Sequence, residues 1–452
     1  MAFAKDFLWG TATSSFQIEG GWQDEGKGPS IWDDFCTEPG RIKDASDGKV
    51  ACDHFHRFRE DVLLMADMGV KNYRFSISWP RVIPDGVGEV NEAGLSFYDQ
   101  LVDCLLENGI RPFVTLYHWD LPSALHQKGA WLNPAMPDWF ANYTRVVAQR
   151  LGDRVKDFIT INEPQCIIGL GYETCEHAPG IRFPERDVVR MGHNLLKSHG
   201  RAVQVLREVI PDVRVGYAPC GEAAIPLTNS AEDIEAARKA YFAPEEGPNI
   251  GFNVAWFSDP VCLGHYPEDA LKRLGKHLPK GWEADMPLIS QKLDYYCQNI
   301  YNGYWIKAAD NARGFERVEY PIGWPRTAMG WPVMPETAYW APRFLTERYG
   351  LPIIITENGM AATDAADLQG EVHDPNRVEY IRKYLTCLKK AVEDGAPVKG
   401  YFYWSFLDNF EWGWGYTQRF GLTYVDYQTL KRTPKDSCLY YKHIMETNGE
   451  EL

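Results

Sequence analysis

The chain has 452 residues, 45% of them hydrophobic and 24% charged, with a formal net charge of −15. This is ordinary globular material, and collagen-like repetition or wholesale disorder is excluded. An acidic surface repels phosphates, so neither nucleic acid nor an anionic membrane is an expected partner.

A short β-rich run followed by a longer amphipathic stretch recurs along the chain. The runs cover residues 7–13, 72–78, 112–117, 157–161, 213–218, 293–299, 352–356 and 399–405. Helical periodicity separates most of them. Residues 60–68 carry Val62, Leu63, Met65, Ala66 and Met68, and residues 97–107 put Phe97, Leu101, Cys104 and Leu105 on one face. Residues 191–210 and 375–394 form longer amphipathic segments. Gly69 and Gly109 stand where left-handed helix caps are wanted. Strand alternating with helix implies parallel pairing through right-handed crossovers, and eight units close into a (β/α)8 barrel. The length alone fits either two to four domains or one barrel with long loops. A single barrel domain over residues 1–452, with insertions at its C-terminal face, is expected. The competing doubly wound sheet calls for a Gly-rich phosphate turn, and neither G-x-G-x-x-G nor G-x-x-x-x-G-K-[ST] occurs.

In such a barrel the chemistry sits where strands end. The first run leads to Gln17, and the second carries Arg74. The third ends in His118-Trp119-Asp120, the fourth in Asn162-Glu163-Pro164 and the sixth in Asn299-Ile300-Tyr301. The seventh ends in Glu357-Asn358-Gly359; the eighth ends in Trp404, with Glu411-Trp412 in its loop. Carboxylates at the ends of apolar strands are costly unless paired or used. Glycosidic bond cleavage uses such a pair, one to protonate the leaving oxygen and one to attack or stabilise the oxocarbenium-like carbon. Amides, imidazole and carboxyl suit sugar hydroxyls, and tryptophan offers a flat face to a pyranose. The aromatic content of 13% is in keeping with such platforms. Arg74 would keep the attacking carboxylate ionised, while burial or a like charge would hold the proton on the other.

These residues resemble glycoside hydrolase family 1, the β-glucosidase family. Asn162-Glu163-Pro164 and Ile355-Thr356-Glu357-Asn358-Gly359 resemble its T-x-N-E-P and I-T-E-N-G signatures. Residues 7–13 with Gln17-Ile18-Glu19-Gly20, residues 73–81, residues 404–412, Arg419-Phe420-Gly421-Leu422 and Arg432-Thr433-Pro434-Lys435 resemble further signatures. The resemblance implies a retaining β-glucosidase, with side activity on β-galactosides and β-fucosides. It implies Glu163 as acid/base and Glu357 as nucleophile, about 5 to 5.5 Å apart. Arg74 and Tyr301 would support the nucleophile. Gln17, His118, Trp119, Asn162, Asn299, Trp404, Glu411, Trp412 and Phe420 would bind sugar, and Trp331 the leaving group. No metal or organic cofactor is implied. The 6-phospho-glycosidase branch places phosphate binders where Glu411 and Trp412 stand, so unphosphorylated sugars are expected. Gln165 replaces the usual aromatic after N-E-P, which opens an alternative reading: a transglycosylating or aglycone-specialised β-glycosidase.

The ten cysteines form no C-x-x-C pair and read as buried thiols, with a redox pair of Cys166 and Cys175 left open. Asp53-His54-Phe55-His56 looks metal-like but lacks a second ligand cluster, so capping and packing before a helix near Glu60 are preferred. The N-terminus lacks the pattern of a signal peptide, and no stretch approaches the roughly 18 to 20 apolar residues of a membrane span. A cytoplasmic setting is expected, with a processed secreted form left open. A small β-glycoside is the expected partner, and homo-oligomerisation is left open.

Overall fold

Strands buried on both faces need continuous apolar, β-branched or aromatic residues, and the eight runs supply them. In the computed structural model, which describes residues 2–244 and 253–452, each run becomes a strand. They are β1 (Leu8–Ala12), β2 (Asn72–Ser76), β3 (Arg111–Tyr117), β4 (Asp157–Asn162), β5 (Arg214–Ala218), β6 (Tyr295–Asn299), β7 (Ile353–Asn358) and β8 (Val398–Trp404). Every strand pairs in parallel with its chain neighbours, and β1 pairs with β8, so the sheet is a closed (β/α)8 barrel. Helices His54–Asp67, Glu92–Glu107, Met136–Leu151, Glu185–Val209, Thr337–Tyr349 and Pro375–Glu393 carry crossovers, and Asp436–Glu446 follows β8. Among the described residues no helix is long and apolar enough to cross a membrane.

Phe113, Ile159, Tyr295, Cys297, Ile354 and Phe402 pack together as one buried cluster contributed by different barrel strands. Two glycines make that filling fit. A Cβ on Gly10 would lie 2.5 Å from the Phe402 ring, and one on Gly216 would lie 2.4 Å from Tyr295. Gly69 and Gly109 take φ of +78° and +70° and close their helices as expected. The Val70 amide donates to Met65 O at 3.0 Å and the Gly69 amide to Ala66 O at 2.9 Å.

Two expectations are corrected. The helix of the first crossover starts at His54 rather than near Glu60, because Phe55 and Phe58 continue the buried stripe of Val62 and Met65. Asp53 gives the helix no side-chain cap; its carboxylate takes His56 Nδ1 at 2.6 Å instead. His54 turns inward to Asp61 at 2.8 Å, so the two imidazoles diverge and the segment gathers no metal site.

The loop after β8 is fastened by a buried ionic network. Lys435, fully buried, reaches Asp364 at 2.6 Å and Asp408 at 2.7 Å. Arg377 reaches Asp364 at 2.7 Å, and Arg419 reaches Asp408 at 2.6 Å. Removing one member strands a charge in a low dielectric. Lys435→Met is expected to lower unfolding free energy by about 3 kcal/mol, read from denaturant midpoints; an unchanged midpoint would show that the network contributes no net stability.

Candidate active site

The strand ends bring the residues together. Arg74, in the middle of β2 and 1% exposed, spans the barrel mouth. Its Nη1 donates to Glu357 Oε1 at 2.6 Å, its Nη2 to Asn162 Oδ1 at 2.6 Å and its Nε to Thr115 Oγ1 at 3.0 Å. Tyr301 donates its hydroxyl to the other Glu357 oxygen at 2.6 Å. Glu357 therefore holds a cation and a phenol at once.

Glu163 has weaker company. Asn299 Nδ2 donates to its Oε1 at 2.7 Å, and the Cys166 thiol to its Oε2 at 3.1 Å. The Asn299 amide also reaches Asn162 Oδ1 at 3.0 Å, and Thr356 Oγ1 fixes its orientation by donating to Oδ1 at 2.7 Å. Because Asn162 Oδ1 accepts from Arg74 and Asn299, its Nδ2 must face His118 Nε2, 3.2 Å away. Nε2 then accepts, and the proton of the ring sits on Nδ1. Burial, reinforced by the Arg74 charge, pushes the His118 pKa well down, so the ring is neutral.

Both glutamates are raised in pKa. For Glu163 burial acts first, followed by the Glu357 charge; the Asn299 and Cys166 hydrogen bonds and then the more remote Arg74 charge oppose them. For Glu357 burial also raises it, but Arg74 and the Tyr301 hydroxyl oppose it. The shared proton thus belongs on Glu163, and the charge on Glu357.

These groups face a cavity of about 760 Å³, in the usual range of roughly 300 to 1,000 Å³ for small-molecule clefts. His118, Trp119, Glu163, Asn299, Tyr301 and Glu357 form its floor side, with Trp331, Trp404, Glu411, Trp412 and Phe420 completing the wall. Gln17, Arg74 and Asn162 are buried behind that wall. Gln17 acts there on its neighbours: Nε2 donates to Phe410 O at 2.9 Å and to Glu411 Oε2 at 3.3 Å. The His118 ring stacks near Trp404 and Trp412, at 5.7 and 5.9 Å between centroids. Trp331 packs against Tyr301 and Phe420.

Burial, then the charges of Glu357 and Glu163, push the Glu411 pKa up to about 8. Glu411 is therefore mainly protonated at neutral pH and can both donate and accept hydrogen bonds. The expected exclusion of phosphosugars by a charged carboxylate here is weakened accordingly. The stability consequence has a definite sign. A carboxyl raised from 4.5 to about 8 on folding stabilises fully below 4.5, and stability falls as pH rises toward 8. Glu411→Gln is expected to flatten that fall and to be more stable than wild type above pH 8, by of order a few kcal/mol. Melting temperatures from pH 5 to 9 would check it; parallel curves would reject the raised pKa.

Three site residues take a left-handed backbone: Trp119 at φ +80°, Glu163 at +47° and Trp412 at +49°. For bulky side chains this conformation is strained. Register irregularities lie beside the glutamates, between Ile159 and Asn162 on β4 and between Ile355 and Glu357 on β7. Such breaks re-aim side chains at strand ends.

Gln165 does not line the cavity. It is fully buried, and its Oε1 accepts from the Cys220 backbone amide at 3.2 Å. The outer wall carries residues that sequence reasoning missed: Glu176, His177, Glu222, Tyr241, Tyr304, Phe315 and Arg317. Several belong to a small sheet formed by residues 223–226, 303–308 and 315–318 beside the barrel, and no motif flagged them. The Cys166–Cys175 pairing is also corrected. All ten cysteines are free thiols, and Cys166 faces Cys220, Sγ to Sγ 3.8 Å, because β4 and β5 are adjacent in the barrel. Among the described residues, metal-type ligands gather at Glu163, Cys166 and Cys220 and at exposed Asp367, Glu371 and His373.

The family model for glycosyl hydrolase family 1 matches residues 1–450. The chain belongs to glycosyl hydrolase family 1. It is therefore an O-glycosyl hydrolase, and the expected family is confirmed over essentially its whole length. It is 44% identical to beta-glucosidase A of Thermotoga maritima, with 99% of each chain covered. It is 43% identical to 1,4-beta-D-glucan glucohydrolase of Thermotoga neapolitana, again with 99% of each covered. The solved beta-glucosidase from Thermotoga maritima in complex with deoxynojirimycin superposes with a TM-score of 0.91 at 44% identity, covering 100% of both chains.

Proposed function

We propose that this family 1 hydrolase is a retaining β-glucosidase, releasing terminal β-D-glucosyl residues from small glycosides and cello-oligosaccharides. Its proposed nucleophile is Glu357 and its proposed acid/base is Glu163. The observation that carries the assignment is the asymmetry between two buried carboxyls on one cavity, one held by Arg74 and Tyr301 and the other by neutral donors. Glu357, ionised, attacks the anomeric carbon while Glu163 delivers its proton to the leaving oxygen. The glycosyl ester is then opened by water, whose proton returns to Glu163. Relatives named beta-glucosidase and 1,4-beta-D-glucan glucohydrolase support glucose as the sugar, and side activity on β-galactosides and β-fucosides belongs to the same proposal.

His118 with its Nδ1 proton, the Asn299 amide and protonated Glu411 are proposed to bind hydroxyls, and Trp404 and Trp412 to face the pyranose. Asn162 and Gln17 serve as the supports that orient them. Trp331 is proposed as the leaving-group platform. The polar outer wall, with Glu222 and Arg317, suits a hydroxylated leaving group such as a second sugar. The aglycone-specialised alternative drew on Gln165, and that residue stands behind the wall. Ten unpaired cysteines support a reducing, cytoplasmic setting. The deciding experiment follows an aryl β-glucoside by proton NMR. β-Glucose as the first-formed sugar is expected; α-glucose, or no turnover, would overturn the proposal.

A further inference from the structure

One cluster in the cavity wall joins the proposed acid/base to two thiols that have no part in the reaction just described. The donor atoms of Glu163, Cys166 and Cys220 all lie within 4.8 Å of one another, and all three residues are buried and line the cavity. Cys166 follows β4 and Cys220 follows β5, and the pairing of these strands brings them together. Their sulfurs are 3.8 Å apart, and Cys166 Sγ is 3.1 Å from Glu163 Oε2. A tetrahedral d10 cation with metal–sulfur bonds of about 2.3 Å has a sulfur–sulfur edge of about 3.8 Å and a sulfur–oxygen edge of about 3.5 Å. The sulfur edge is already in place, and the Cys166–Glu163 edge, at 3.1 Å, is a few tenths of an ångström short of that value. Gln165 steadies the second thiol through the Cys220 backbone amide, at 3.2 Å. The open cavity supplies the fourth corner for a water, as at zinc sites with three protein ligands.

We propose that Glu163, Cys166 and Cys220 form an inhibitory site for a thiophilic divalent cation such as Zn²⁺ or Cd²⁺. Binding exchanges two sulfur–hydrogen bonds and the Glu163 oxygen–hydrogen bond for two metal–sulfur bonds and one metal–oxygen bond, and releases three protons to solvent, with no electron transferred. The Glu163 carboxylate, once coordinated, no longer carries a proton for the leaving oxygen. The loss of turnover rests on the acid/base role proposed above for Glu163; the binding of the ion does not.

The test titrates the whole protein with Cd²⁺ and reads the ultraviolet thiolate-to-metal charge-transfer band beside aryl β-glucoside turnover. Wild type is expected to develop the band and to lose at least tenfold in turnover, with EDTA restoring both. Cys220→Ala is expected to keep metal-free turnover, to lack the band and to resist Cd²⁺; Cys220→Ser replaces it if the alanine variant does not fold. No band in wild type, or a band and inhibition unchanged in the Cys220 variant, would overturn the site. A band that needs Cys220 but leaves turnover intact keeps the site and overturns the role given to Glu163.

Discussion

Glu357→Gly supplied with azide is expected to turn an activated aryl β-glucoside into α-glucosyl azide. Without azide its kcat should fall by about four orders of magnitude or more, because the attacking atom is gone and no neighbour replaces it. The loss also strands Arg74, buried at 1% exposure, beside a vacated carboxylate position. A small anion restores both the charge and an attacking atom on the same face. With one displacement instead of two, the product inverts. Chemical characterisation of the azide product checks this. A β-azide, or near-normal turnover without azide, would remove Glu357 from its role.

Glu163→Ala should fail differently. Leaving groups that need a proton are expected to lose roughly 10²- to 10⁴-fold, whereas strongly activated ones still form the glycosyl ester on Glu357. That ester then lacks a base for water. Azide needs no deprotonation, so it should relieve the block and give β-glucosyl azide by attack opposite the Glu357 ester. The pH profile supplies a second sign. Burial and the Glu357 charge raise the Glu163 pKa, so wild-type activity should fall on the alkaline side as that proton is lost. In the alanine variant the alkaline limb should vanish. A retained limb, or identical azide anomers from the two variants, would overturn the pairing of roles.

Much of the barrel was legible because the strands are short and largely apolar, and most are bounded by polar residues at the C-terminal end. Residues 157–162 show the pattern: Phe158, Ile159 and Ile161 fill the sheet, then Asn162 and Glu163 break it. Other features left no local trace. The helix at His54 begins inside a stretch whose two histidines drew attention to metals, and only the buried faces of Phe55 and Phe58 reveal its start. Gln165 looked like a changed cavity wall, but chain direction after a left-handed Glu163 turns it behind the wall. Cys220 carried no signal, since its partner Cys166 is set by strand pairing rather than by spacing.

The amino-acid order alone determined eight strand–helix units and two glutamates closing the fourth and seventh strands. It also determined the ring of amides and tryptophans about them, since hydrophobic period and strand-end position are local properties. The physical reason that Glu163 rather than Glu357 keeps a proton lies only in the closed barrel. Burial and Coulomb interactions depend on distance through space. The barrel sets Arg74 from β2 and Tyr301 from beyond β6 against Glu357, and gives Glu163 an amide and a thiol.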